Sequence, residues 1–411
     1  MRRTRLLTIA TITSFLTLTA ATASAGSWTL DLSFSDNGIF RVVDSHTVLD
    51  LGVSSGLVYA AGASRDGQGP SLFVARTLTD GTYDSSFGTD GVASVGIACD
   101  AEGFDFDVLA DGSSIASCQS AKELKVLRWT KAGVLDTSFS ADGIRTVTVS
   151  SPKKSFYIGD TGVVVDGHDR IVVGAMADSN DGANARIYRM LPSGALDTSF
   201  SSDGVRHLDL YDVDWVDDLA VDTNNRILIA SDNATCPDSN DKDCYRLAKA
   251  HLIRLNANGA FDQSFSDDGV VRFSIQSSAV DFSYPIEIGV DSDNVITAVL
   301  TGTGSFAAAR ILADGTLDTE YGVGGIVGLT CKCSAASAQV VDGKVALAGL
   351  SSHLDQTVVA TISPSGDRIV QGQIDLLPKG RYEFTGAVAF DGNTILVGGT
   401  NTRIGFISRI E

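Results

Sequence analysis

Acidic side chains recur in this chain at a spacing that could gather them around one point. Seven copies of a short β pattern align on Val53, Ala110, Val165, Val221, Val290, Val341 and Phe390. Three positions earlier the copies carry Asp50, Asp107, Gly162, Asp218, Glu287, Ala338 and Ala387. Two residues further back stand Asp105 and Asp160, on the same face of a strand because side chains alternate. If these strands surround a common axis, the carboxylates converge at one mouth of a channel. Converging carboxylates repel, so they raise one another's pKa or recruit a cation. Oxygen ligands suit calcium, which makes Asp50, Asp105, Asp107, Asp160, Asp218 and Glu287 the candidate metal ligands. In the plainer structural reading the same acids accept backbone N–H bonds or face water.

Catalytic signatures are sparse. No G-x-S-x-G, H-E-x-x-H or P-loop occurs. The five histidines, His46, His168, His207, His251 and His353, fall at different phases of the pattern and do not form a set. His46 precedes Asp50 by four residues, and that pair is the one catalytic candidate, a base beside a metal in a lyase or lactonase. Ahead of the aligned strands lie Tyr157, Trp215, Tyr284, Lys332, Arg381 and Tyr382. Aromatics mixed with charge on one face would make a groove for sugar, peptide or a protein surface; buried packing explains the same aromatics equally well.

Six cysteines occur, an even number that suits an oxidising compartment. Cys236 and Cys244 flank one loop, and Cys99 and Cys118 stand at the two ends of an expected hairpin, so these are the candidate disulfides. Cys331 and Cys333, separated by one residue, have no histidine near them in sequence, which weighs against a zinc or copper site.

The chain must be exported for that chemistry to apply. Arg2, Arg3 and Arg5 precede an apolar, Thr-rich stretch and then Ala23-Ser24-Ala25. This is the anatomy of a secretory signal peptide over residues 1–25, and the expected location is the periplasm or the exterior. No later segment has the run of about 18 apolar residues that a membrane helix needs. The whole chain carries a formal charge of −19, and loss of the three leader arginines makes it −22. So acidic a surface repels nucleic acid phosphates and favours cations.

The elements that would position all these residues come from a repeat. A phrase of the type Leu30-Asp31-Leu32-Ser33-Phe34-Ser35-Asp36-Asn37-Gly38 returns around Phe87, Phe139, Phe200, Phe265 and Tyr321, at intervals of 53, 52, 61, 65 and 56 residues. Its Asp and Ser satisfy turn N–H groups, its aromatic ring packs between neighbouring units, and its Asp-Gly permits positive φ. Between tags, β-branched runs such as Arg170–Ala175, Arg226–Ser231 and Asn294–Leu300 follow tight turns. No helical periodicity is present. Seven units of about four strands predict an all-β, seven-bladed propeller over residues 26–411. The chain begins with the tag and ends in the strand that elsewhere precedes it, so the N-terminal segment should complete the last blade and close the ring.

Leu135-Asp136-Thr137-Ser138-Phe139-Ser140-Ala141-Asp142-Gly143, with an Arg-containing strand before it and Val-x-x-Asp-Gly-x-x-x-Ile-Val-Val-Gly after it, resembles the bacterial delta-60 repeat family of β-propellers. The resemblance spans residues 26–411 and implies the propeller fold, often in exported proteins; it brings no catalytic residues with it. Tyr83, Tyr321 and the lost tag near Ile369 depart from the pattern. The function expected from all this is an exported, monomeric binding module for a carbohydrate, peptide or protein, with no nucleic acid partner and no membrane insertion. The alternative is a calcium-dependent hydrolase or lyase at the channel mouth.

Overall fold

The computed structural model describes residues 11–15, 24–25, 28–42, 46–65, 70–97, 103–120, 123–149, 161–178, 183–210, 213–234, 249–276, 281–302, 305–330, 333–351, 356–374, 376, 383–401 and 404–411. Every blade repeats one local rule. A strand runs into a tight turn, a second returns, a third returns again, and the tag leads into the outermost strand. Blade 1 is His46–Ser54, Leu57–Arg65, Pro70–Thr77 and Val92–Val95. Blade 4 is Asp218–Val221, Ile227–Ala234, Lys249–Leu255 and Val270–Gln276. The turns need left-handed backbone, and Asp169, Asn225 and Asn294 supply it at φ values of 58°, 57° and 61°, conformations that Asn and Asp tolerate better than branched residues.

The first strand of each blade touches the first strand of the next, from His46–Ser54 through Phe104–Val108, Gly162–Val165, Asp218–Val221, Asp281–Val290 and Cys333–Val341 to Glu383–Asp391, which meets His46–Ser54 again. The molecule is a closed ring of seven blades with these strands innermost. Closure works as the repeat requires: Ile39–Arg41 pairs antiparallel with Ile404–Ile410 and becomes the outer strand of blade 7. The Thr29 and Glu411 main chains exchange both hydrogen bonds at 3.1 Å. Further toward the N-terminus, Thr11–Phe15 runs parallel to Val270–Gln276 and Ser24–Ala25 parallel to Ile369–Ile374, each adding to the open edge of an outer strand.

The core lies between blades, not at the axis. Tyr59, Leu72 and Phe87 of blade 1 pack with Ala116, Leu127 and Trp129 of blade 2, and Phe265 of blade 4 joins Ile288, Ala298 and Ile311 of blade 5. Each tag ring seats under the turn glycine of the following blade: a Cβ on Gly133 would stand 3.0 Å from the Phe87 ring, and one on Gly259 3.0 Å from the Phe200 ring. Both glycines have φ near +80°, so glycine is required twice over, by conformation and by contact.

An ion pair completes each tag. Arg76, Arg189 and Arg254 lie eight residues before Asp84, Asp197 and Asp262, and their Nε atoms donate to those carboxylates at 2.8–2.9 Å. Each of these carboxylates also takes the N–H and hydroxyl of the serine two residues later. The guanidinium then crosses the seam, Arg76 to the Lys131 carbonyl and Arg254 to the Ala313 carbonyl, both at 2.6 Å, and lies over the tag phenylalanine, 4.5 Å from Phe87 and 4.2 Å from Phe265. Arg409 makes the same pair with Asp31 across the chain ends. Blade 6 has lost its tag, and at that seam Trp28 Nε1 donates to the Val359 carbonyl at 3.0 Å while its ring packs on a cluster from blades 6 and 7.

Candidate functional site

The turns within blades and the tags all emerge on one face of the disc. The loops from second to third strand and the connections from one blade to the next emerge on the other. The aligned acids sit on the innermost strands, where they begin from that second face. Asp105 and Asp107 lie in Phe104–Val108, Asp218 opens Asp218–Val221, Glu287 lies in Asp281–Val290 and Asp50 in His46–Ser54. No Lys or Arg occurs in any of the seven inner strands.

The register changes one detail of the alignment. Val108 pairs with Ser114 as Val221 pairs with Ile227, so Asp105, and not Asp107, stands level with Asp218. The shift arises because the turn residues of blade 2 begin at Leu109, two positions before the Asp111-Gly112 that anchors a sequence alignment.

The acids do converge, and they are put to use as ties between blades. Asp105 Oδ2 accepts the Val163 N–H of blade 3 at 2.5 Å. Asp218 accepts its own strand's Leu219 N–H and, at the same 2.7 Å, the Ile288 N–H of blade 5. Glu287 Oε1 accepts the Val340 N–H of blade 6 at 3.3 Å, and Gln339 Oε1 the Phe390 N–H of blade 7 at 2.7 Å. Asp50 accepts the Leu51 N–H at 2.6 Å and bonds the Phe106 amide of blade 2.

Charge accumulates faster than these donors relieve it. Burial pushes the Asp50 carboxyl up to about 7, with the charges of Asp107 and Asp218 adding to the rise. Burial likewise takes Asp218 to about 7, with Asp107 contributing, and Asp107 to about 6. Asp105 and Glu287 are raised well above the usual carboxylate range, by burial first and then by the neighbouring acids. Carboxyls of this kind hold protons near neutral pH, which is the property a general acid needs. Among the described residues no group of three or more His, Cys, Asp or Glu is placed to hold a metal ion.

The other expected site residues divide sharply. Trp215 is half-buried on the connection between blades 3 and 4. Its main chain is held by the Asp232 carbonyl at 3.1 Å and the Ser231 hydroxyl at 2.5 Å. Tyr284 lies in the inner strand of blade 5 opposite Thr301, and His46 opens the inner strand of blade 1 opposite Ser64; the side chains of both fall outside the described residues, as do Tyr157, Asp160, Lys332, Arg381 and Tyr382. Cys118 and Cys333 are buried and neither is a free thiol; Cys99, Cys236, Cys244 and Cys331 lie outside the described residues. The sequence marks an Arg-containing strand before the tag but gives neither those arginines nor Trp28 a role. The constant eight-residue interval from Arg to Asp was the available signal for the former; nothing local marked the latter.

A family model described as Domain of unknown function (DUF5122) beta-propeller matches residues 169–200 and 249–265. No curated protein matches the chain. Among solved structures, a polysaccharide lyase described as an ulvan lyase superposes with a TM-score of 0.50 at 9% identity, over 90% of this chain and 95% of that one. A structure of such a lyase bound to -[GlcA(1-4)Rha3S]- gives 0.50 at 8% identity over the same shares. The propeller domain of the Trilobed protease from Pyrococcus furiosus gives 0.45 at 9% identity, over 90% and 95%. At such identities the likeness carries the fold alone. Fold and matched segments together make the chain a seven-bladed β-propeller built from a propeller-type repeat.

Proposed function

We propose that the protein is an exported binding module that recognises a carbohydrate, peptide or partner protein on the face where the blades connect to one another. The asymmetry of the two faces carries this reading. The turn face is occupied by a repeated device, the tag with its Arg–Asp pair, in blade after blade. The connecting face differs in each blade and presents Trp215 on a backbone fixed by two hydrogen bonds. In a repeat protein the repeated residues hold the scaffold and function resides where the copies differ. The likeness of the tag to the delta-60 repeat and the leader-like residues 1–25 belong to the same reading. Retention of the protein, as chain 26–411, on panels of immobilised polysaccharides and peptides tests it: Trp215→Ala should abolish retention with the melting temperature unchanged, and full retention by that variant would rule the face out.

A calcium-dependent hydrolase or lyase at the channel mouth is the second reading: the five acids offer a general acid, and a bound calcium would require some of them to leave the backbone N–H groups they hold. Its test is elemental analysis with and without chelator: bound calcium lost in Asp218→Asn with Glu287→Gln supports it, and no calcium in the parent protein dismisses it.

A further inference from the structure

The outermost strand of each blade has one edge that its own blade does not pair, and a long edge of that kind templates pairing with another chain. Most blades blunt it. Blades 3 and 7 end in the three-residue strands Val205–His207 and Ile39–Arg41, and blade 1 in the four residues Val92–Val95. Blade 2 places Arg145 in Ile144–Thr148, and blades 5 and 6 place Gly328 and Gly372 in Ile326–Thr330 and Ile369–Ile374. Shortness, charge and glycine each weaken a strand as a template. Blade 4 ends in Val270–Gln276, seven residues with neither glycine nor proline. Its one charged residue, Arg272, is tied back to Asp268 at 2.9 Å and to the Val270 carbonyl of its own strand at 3.0 Å.

This edge already takes an extended backbone. Thr11–Phe15 runs along it in parallel, with Thr11 in register with Arg272 and Phe15 with Gln276. Ile12 stands level with Phe273, whose ring is buried in the core shared by blades 4 and 5, and Thr13 stands level with Ser274. Ser24–Ala25 lies along part of the blade 6 edge in the same sense. Both pieces fall within residues 1–25, the leader-like segment, so its removal leaves the blade 4 edge open.

We infer that the outer strand of blade 4 is a strand-addition surface for an extended, uncharged segment of a partner protein, which takes the place of Thr11–Phe15 once residues 1–25 are gone. In this mode main-chain hydrogen bonds supply the affinity and alternate side chains the selectivity. Arg272 disfavours a Lys or Arg placed level with it, and an apolar residue belongs level with Phe273. The surface lies on the rim of the disc, apart from the connecting face. Its unmasking, though not the surface itself, rests on the export reading proposed above.

The peptide acetyl-Thr-Ile-Thr-Ser-Phe-amide, which copies residues 11–15, tests the surface by ligand-observed NMR and by hydrogen–deuterium exchange of the chain 26–411. The peptide should bind, and it should protect residues 270–276 and no other outer strand. The same peptide N-methylated at every amide should lose binding, because it cannot donate to the edge. A peptide with lysine in place of its first threonine, level with Arg272, should bind more weakly. The full chain 1–411, whose edge is filled by its own strand, should not bind. Absence of binding by chain 26–411, undiminished binding of the N-methylated peptide, or protection that spares residues 270–276 would overturn the proposal. So would a dimer in light scattering of chain 26–411 with residues 270–276 protected before peptide is added, since a second copy would then be the occupant. Equal binding by the full chain would overturn the masking. N-terminal sequencing of the protein recovered from cells reads the export question separately: a chain that keeps residues 1–25 defeats the unmasking, while binding by chain 26–411 still decides the surface.

Discussion

Arg254 shows what a single residue does in this fold. It is buried, bonds the buried Asp262, crosses to the next blade's Ala313 carbonyl and covers Phe265. Removing one member of such a pair leaves an uncompensated charge, so Arg254→Ala should cost about 3–5 kcal/mol. Denaturant unfolding of Arg254→Ala, Asp262→Ala and the double variant measures it, and the double variant should lose much less than the sum of the two. Tyr321 points the other way. It holds the place of the tag phenylalanine in blade 5, and its hydroxyl is buried without a hydrogen bond among the described residues. An unbonded buried hydroxyl costs roughly 1–3 kcal/mol, so Tyr321→Phe should stabilise the protein by up to about 1 kcal/mol, read from the same unfolding curves. At this scale the tag was legible because its chemistry is local: Asp84 and Ser86 are two residues apart, and Gly91 follows within the same turn. The pairing of Arg409 with Asp31, 378 residues distant, becomes visible only once the ring is known to close.

Among elements, the outer strand of blade 7 carries the most consequence. Ile39–Arg41 covers the edge of Ile404–Ile410, and Trp28 seals the one seam whose tag is missing. A chain starting at residue 43 therefore exposes a long, apolar edge, which templates association. Light scattering should show it as oligomers or aggregate where the chain from residue 26 is monomeric; a monomeric truncated chain of equal stability would contradict closure by this strand. The order of strands and this closure were readable from the repeat, since the copy at each end is incomplete in complementary ways. The level of Asp105 was not, because blade 2 enters its turn two residues earlier than the Asp-Gly spacing suggests, and a hairpin register shows itself only in the pairing.

For the whole molecule the inner ring sets the response to pH. Asp50, Asp107 and Asp218 have folded-state pKa values raised to about 6–7 from an ordinary value near 4. An acid with a raised folded-state pKa favours folding when protonated, so its penalty is absent below about pH 4, grows through the interval and is complete above about pH 7. The tag acids act oppositely. Ser86 and Arg76 hold Asp84 below its ordinary value in spite of burial, and Ser264 and Arg254 do the same for Asp262; their contribution is lost as the pH falls below about 4. Stability should therefore peak on the acid side of neutral, with a melting temperature about 2–4 °C or more higher at pH 5 than at pH 8. Asp218→Asn with Glu287→Gln, which removes two of the titrating carboxyls at the loss of one of the two acceptor oxygens of Asp218, should reduce that slope in calorimetric scans at the two pH values.

The central claim is that the connecting face binds and the tags hold the scaffold. Hydrogen–deuterium exchange of the chain 26–411, alone and with the polysaccharide or peptide that retains it, tests this most directly. Protection is expected in the blade-to-blade connections, including the segment around Trp215, with unchanged exchange in the tag turns. Protection confined to the tag turns of blades 3, 4 and 5, with none near Trp215, would contradict it.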